Sequence, residues 1–248
     1  MTTSSTAAIS GDRVWHDIGS DLRVIIVAGI PVGVLVAGFG SRLVMLVLRV
    51  TSPDSVRGVT SDDGFTIGDV TLTGTYNLLL LGATVGIIGA AVYKLVAPWL
   101  IGPSWFRRLT TGAAAAVVAG SGLVHADGVD FTLLKPTWLT VGLFVLLPGV
   151  FGVLVGVAVD AVSRPGSWTA RGRRQWVLPV IAVACFPLSA FAVVIVAVVL
   201  ACWAPFRYAA SVRQVRRLPA YGLVIRGIWL LIAVAGAIGL ANDINALA

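Results

Sequence analysis

Six apolar stretches set the terms for this chain, at about 23–49, 76–99, 109–125, 137–162, 176–204 and 222–247, with short polar connections between them. A run of 18 or more apolar residues is long enough to cross about 30 Å of hydrocarbon as a helix. No soluble fold of 248 residues can hide that much apolar surface: the chain is 58% hydrophobic and only 12% charged, half the charged share of a typical soluble domain. Its mean hydropathy is +0.96. In lipid every backbone polar group needs an internal partner, so only helices and closed barrels span. The alternation of barrel strands is absent. The sequence therefore predicts an all-α, polytopic transmembrane helix bundle of about six membrane segments. It forms a single domain over 23–248 behind a polar tail, 1–22.

Charge sets the expected threading. The tail MTTSSTAAISGDRVWHDIGS is mixed in charge and lacks the n-region, h-region and cleavage site of a signal peptide. The net charge of +7 comes from cations lying mostly in short loops. There they fix orientation and meet anionic head groups, so nucleic acid is not an expected partner. Residues 100–108 end in Phe106-Arg107-Arg108, and 163–175 carry Arg164, Arg171, Arg173 and Arg174. Residues 50–75 and 126–136 are rich in Asp. The positive-inside rule places the N-terminus and the two basic loops in the cytoplasm of a bacterial plasma membrane, with the acidic loops outside.

The second half resists this scheme. Residues 205–220 carry Arg207, Arg213, Arg216 and Arg217, yet six plain crossings would put them outside. Segment 176–204 is interrupted by Pro179 and Pro187. It reads either as one long kinked span or as a re-entrant hairpin turning near Phe186-Pro187-Leu188-Ser189. The single span is preferred, because broken spans are rarer. Cys185 and Cys202 both fall in this stretch, about 25 Å apart on a continuous helix. That is too far for a disulfide, and both read as small buried hydrophobes.

A parallel duplication of the first two hairpins is also suggested. Asp62-Asp63-Gly64-Phe65-Thr66 matches Ala126-Asp127-Gly128-Val129-Asp130-Phe131-Thr132. Each precedes a glycine-bearing helix that ends in a charge, Lys94 in one and Asp160 in the other. Parallel repeats of this kind recur in membrane proteins.

Several short stretches, namely Gly40-Ser41-Arg42-Leu43-Val44-Met45, Asp63-Gly64 through Thr73-Gly74-Thr75, the loop Asp127–Phe131, and Asp243-Ile244, carry a resemblance. The chain resembles a family of small, uncharacterised multi-pass proteins of actinobacteria, with His125 and Ala126 as points of departure. The resemblance implies a multi-pass topology and no activity.

Three groups of residues could carry chemistry. Arg42 lies about 27 Å along the first span, near the outer interface. It is either a snorkelling anchor or one half of a buried pair, because an intramembrane charge is costly and usually partnered. The candidate partner is Asp243, about 32 Å along the last helix from Gly222. The two reach the same depth only if that helix runs outward. The outer acids Asp62, Asp63, Asp69, Asp127 and Asp130 could gather a hard cation, or a transition metal with His125. The competing reading is a solvated acidic loop. Gly82 with Gly86 and Gly152 with Gly156 are GxxxG pairs, which let helices approach closely. They read as internal packing rather than a dimer face.

No HExxH, GxSxG, P-loop or CxxC pattern is present, so nothing supports an enzyme, and no cofactor is expected. The leading expectation is an accessory or scaffold component of a membrane complex, with a partner subunit or a second copy beside the lipid. A small transporter or channel with an acidic outer vestibule is the alternative. An envelope- or lipid-modifying enzyme is weaker.

Overall fold

The computed structural model describes residues 3–53, 56, 58, 59, 71–125, 128–167, 174–185, 194, 198, 201, 202 and 219–247. All secondary structure among them is helical. Helix α1 (Thr3–Val32) runs without a break through a π-helical stretch (Gly33–Gly40) into α2 (Ser41–Thr51). Residues 3–22, read from sequence as a separate tail, thus continue the first helix. Pro31 has no N–H to give to the preceding turn, and Gly33, Gly38 and Gly40 resist unwinding weakly. Together they account for the switch to the wider π winding, which proteins use mostly in single turns.

The remaining helices are α3 (Leu72–Val96), α4 (Ser104–Leu123), α5 (Val129–Leu133), α6 (Thr137–Ser163), α7 (Arg174–Cys185) and α8 (Pro219–Leu247). Helix α3 starts where the Thr71 side chain accepts a hydrogen bond from the Gly74 amide, an N-cap that satisfies one orphan donor. It ends in a 3₁₀ turn, Ala97–Trp99. Four helices are long and apolar enough to cross a membrane: His16–Thr51, Leu72–Trp99, Thr137–Ser163 and Gly222–Leu247. They fit a membrane-embedded protein. Helix α4 also runs the length of the bundle but carries Arg107 and Arg108 in its first turns.

Two antiparallel hairpins, α1–α3 and α4–α6, form the body. In the first, Gly29 and Gly33 lie directly on Gly82 and Gly86: a Cβ built on Gly29 would stand 2.5 Å from the Gly86 carbonyl oxygen. In the second, a Cβ on Gly152 would stand 2.9 Å from the Ala115 Cβ, and one on Gly112 would stand 2.8 Å from the Gly149 carbonyl oxygen. Backbone contact of this kind maximises dispersion between helices where no hydrophobic effect draws them together. The main core joins the hairpins through Val24, Ile25, Ile30, Ile87, Tyr93 and Val155.

The bundle has two distinct ends. At one end Asp160, near the close of α6, meets Arg108 at the start of α4. At the other, Leu48 of α2 packs on Leu134, and Ser52 Oγ accepts from the Lys135 amide at 2.9 Å. Helix α8 begins at the first end, where Arg226 Nε donates to the Trp99 carbonyl oxygen at 2.9 Å. It finishes at the second, with Leu240 on Val124 and Phe131.

The chain therefore leaves α6 and enters α8 at the same end. The sequence reading of 176–204, as one span or as a re-entrant hairpin, falls mostly on residues outside the described ones. Helix α7 enters from the Arg108 end, with Trp176 against Gly19 of α1 and Ala182 beside the main core. The rest of 186–218 lies almost wholly outside the described residues. Cys185 and Cys202 are exposed, not buried as expected. The proposed duplication gains a parallel in the two glycine-packed hairpins but is not established by them.

Candidate polar site at the Arg108 end

The densest polar grouping lies where both hairpins finish. Asp160 follows the Gly152–Gly156 face along α6, which points at α4 and α3. A Cβ on Gly156 would stand 3.1 Å from Arg108 Cγ and 3.2 Å from the Tyr93 ring, so the missing side chain gives both groups room to reach Asp160. Arg108 Nε and Nη2 both donate to Asp160 Oδ2 at 2.9 Å. The Tyr93 hydroxyl donates to Oδ1 at 3.1 Å. Three helices thus converge on one carboxylate. The pair is about one-fifth exposed, at 21% and 22%, so its charges are only partly screened.

A second ion pair joins Lys94 of α3 to Asp21 of α1, also mostly buried. Each hairpin is therefore closed at the same end by a carboxylate–cation pair, with the signs exchanged between first and second helix. Around the pairs stand further cations. Arg107 has a buried Nε with no hydrogen-bond partner among the described residues. Arg23 is 9% exposed, and its buried Nη1 also has no partner among them. Asp21 and Asp160 are each committed to a cation of their own hairpin.

The residues singled out from sequence are distributed differently. Arg42 and Asp243 do lie at the same end of the bundle, because α8 runs as the hairpin reading required. No ion pair joins them among the described residues: α8 packs on α4, away from α2. Asp130 is 2% exposed, tucked beside Phe131, so it is not a solvated loop acid. His125 is exposed. Asp62, Asp63, Asp69 and Asp127 lie outside the described residues. No group of three metal-ligating side chains occurs among the described residues. Gly82, Gly86, Gly152 and Gly156 all face neighbouring helices of the same chain.

Sequence reading noted Lys94 and Asp160 as end charges and Arg107-Arg108 as a topology signal. It missed that Lys94 pairs with Asp21 and Asp160 with Arg108. The available signal was position: Asp21 and Lys94 each stand at the polar end of an apolar run, as do Arg108 and Asp160.

A second feature faces outward. A groove of about 660 Å³ runs between α4, α6 and the far half of α8, almost wholly apolar and floored by small residues such as Ala113, Ala116, Gly142 and Gly149. Leu240 and Ile244 form its third wall.

No protein-family model matches the chain, and neither a curated protein nor a solved structure matches it.

Proposed function

We propose that this chain is an accessory or scaffold component of a membrane complex, and that the groove between α4, α6 and α8 receives a transmembrane helix of its partner. The observation that carries this reading is the groove itself. Its floor of Gly and Ala allows a second backbone to approach closely, as membrane helix contacts favour. The exposure pattern agrees. Half of the most apolar window is buried in each of the first two spans, against 17% in α6 and 6% in α8. The first two spans are held by backbone contact and by the Lys94–Asp21 pair, while the outward faces of α6 and α8 are left for an outside occupant.

The transporter reading has less support. Transport sites usually lie near the bilayer midplane. At mid-depth, Thr84 is the buried polar side chain among the described residues, and its hydroxyl is spent on the Leu80 carbonyl oxygen at 3.0 Å. The enzyme reading has no cluster of three His, Cys, Asp or Glu side chains behind it among the described residues.

The same reading places the Arg108 end in the cytoplasm of a bacterial, actinobacteria-like plasma membrane. All three basic loops then lie inside, provided 176–204 is a re-entrant hairpin between five full crossings. The two hairpins, each closed by an ion pair, fit a parallel duplication.

Gly142→Leu provides the test. Gly142 lines the groove, and a Cβ there meets nothing within 4 Å, so the variant fills the groove without crowding the fold. A stoichiometric partner should co-purify with wild type in mild detergent and be lost from the variant. A wild-type chain that emerges alone and monomeric would refute the reading.

A further inference from the structure

We infer that the π-helical stretch Gly33–Gly40 is a register switch: it stores one spare residue, and by rewinding as α it screws α2 one residue along its seat. The inference does not depend on the scaffold role. A π turn closes on the fifth residue and an α turn on the fourth, so a π turn holds one residue more. Giving up that residue advances whatever follows by about 100° and 1.5 Å.

The two sides of the stretch are held unequally. Upstream, a Cβ on Gly29 or Gly33 would run into a backbone carbonyl oxygen of α3, that of Gly86 or Gly82. Downstream, the nearest atoms to a Cβ on Gly38 or Gly40 are side-chain ends, Leu79 Cδ2 and Leu147 Cδ1, each at 2.8 Å. A side-chain end can swing aside and a backbone cannot, so α1 is fixed while the chain beyond Gly33 can rewind. Where π winding returns to α, the hydrogen-bond ladder passes over a carbonyl. The Ser41 amide reaches the Gly38 oxygen. The Ser41 hydroxyl donates to the passed-over Ala37 oxygen and, at 2.8 Å, to that of Gly38. It thus satisfies the gap that the wider winding leaves.

Helix α2 offers two equivalent faces to the body. The seated one is Val44, Leu48 and Ser52. Val44 and Leu48 pack on Leu134, with Leu139 and Leu143 around them. Ser52 Oγ accepts from the Lys135 amide at 2.9 Å and donates to the Lys135 carbonyl oxygen at 3.2 Å. One residue earlier stand Leu43, Val47 and Thr51, again apolar, apolar and hydroxyl at spacings of four. Leu43 is 62% exposed and Val47 36%, so this second face is unused. An α turn rotates each residue further than a π turn, so the advance brings each residue to the place of the one after it. Leu43 and Val47 then take the seats of Val44 and Leu48, and Thr51 meets Lys135. Phe39 moves toward Leu147, whose side-chain end yields. Arg42 and Arg49 turn with the helix, so the switch re-aims two cations at that end of the first span.

The test is disulfide trapping in the full chain, with Cys185→Ala and Cys202→Ala removing the native thiols. Leu134→Cys is paired with Leu48→Cys or with Val47→Cys and oxidised in lipid nanodiscs. A bridge needs Cβ atoms about 3.8 Å apart, so each pair reports one register, and both bridges should form. Deleting Phe39 removes the spare residue; it should keep the Leu48 bridge and abolish the Val47 bridge. Ser41→Ala removes a bond that only the π form needs. It should raise the ratio of Val47 to Leu48 bridges about fivefold, the worth of one hydrogen bond. An undeleted chain that forms the Leu48 bridge alone, or neither bridge, would overturn the switch. A Val47 bridge undiminished by the deletion would show loose packing instead of a register change and overturn it too. Should the deletion variant fail to fold, an unchanged ratio in Ser41→Ala would be the overturning result.

Discussion

Replacing Gly33 with alanine puts a methyl group where the Gly82 carbonyl oxygen already stands. The same Cβ would lie 2.7 Å from the Gly86 Cα and 2.7 Å from its amide nitrogen, where ordinary contact starts at 3.4 Å. None of these neighbours is a flexible side chain; all are backbone of α3. Helix must move from helix, by roughly 0.7 Å against Gly86 and further against Gly82. A gap of that size forfeits a quarter to a half of each dispersion contact along the seam. Overpacking usually costs about 1–3 kcal/mol, and a backbone obstacle puts Gly33→Ala at the upper end, about 3 kcal/mol. For a chain of this size the thermal midpoint should fall by about 6–12 °C. The assay is thermal unfolding of the purified protein in one detergent, with Gly222→Ala as the control. A Cβ at Gly222 meets nothing within 4 Å, and alanine is the better helix former by about 1 kcal/mol, so that variant should unfold no earlier than wild type. A Gly33→Ala midpoint equal to that of Gly222→Ala would refute the backbone-contact seam.

Two further predictions concern the second hairpin and α8. Asp160→Asn and Arg108→Gln should each destabilise by about 2 kcal/mol, and the double variant should recover part of that loss, a coupling of about 1 kcal/mol. Strict additivity in a denaturation cycle would mean the pair contributes nothing. Gly236→Leu should lift α8 from α4, because a Cβ at Gly236 already stands 3.0 Å from the Val117 carbonyl oxygen. Amide exchange should then quicken in α8 and not in α3; unchanged exchange in α8 would refute its docking there.

The spans were legible because length and apolarity alone determine them. Leu72–Val96 and Thr137–Ser163 start and stop within a few residues of the apolar runs at 76–99 and 137–162. Gly82 and Gly152 were legible for the same local reason, since GxxxG spacing puts both glycines on one face. Their partners were not, because which helices meet is a property of the whole bundle. Gly29 and Gly33 show GxxxG spacing too, but only the α1–α3 pairing gives them a role.

The polar site failed to emerge for a related cause. Charges at span ends read as orientation signals, and nothing local distinguishes Arg108, which crosses to Asp160, from Arg107, which does not. Arg42 drew attention for its depth in the span, while Arg23, at the very start of the first apolar run, drew none. The direction of α8 could not be read at all. It depends on whether 176–204 crosses once or turns back, and two prolines are compatible with both.

That direction is the account's central claim, and dual reporter fusions after Gly166, Gln214 and Asn245 test it most directly. The account predicts the same cytoplasmic signal at Gly166 and Gln214 and an external signal at Asn245. An external signal at Gln214 with a cytoplasmic one at Asn245 would mean a single crossing by 176–204, an inward-running α8, and an account that fails.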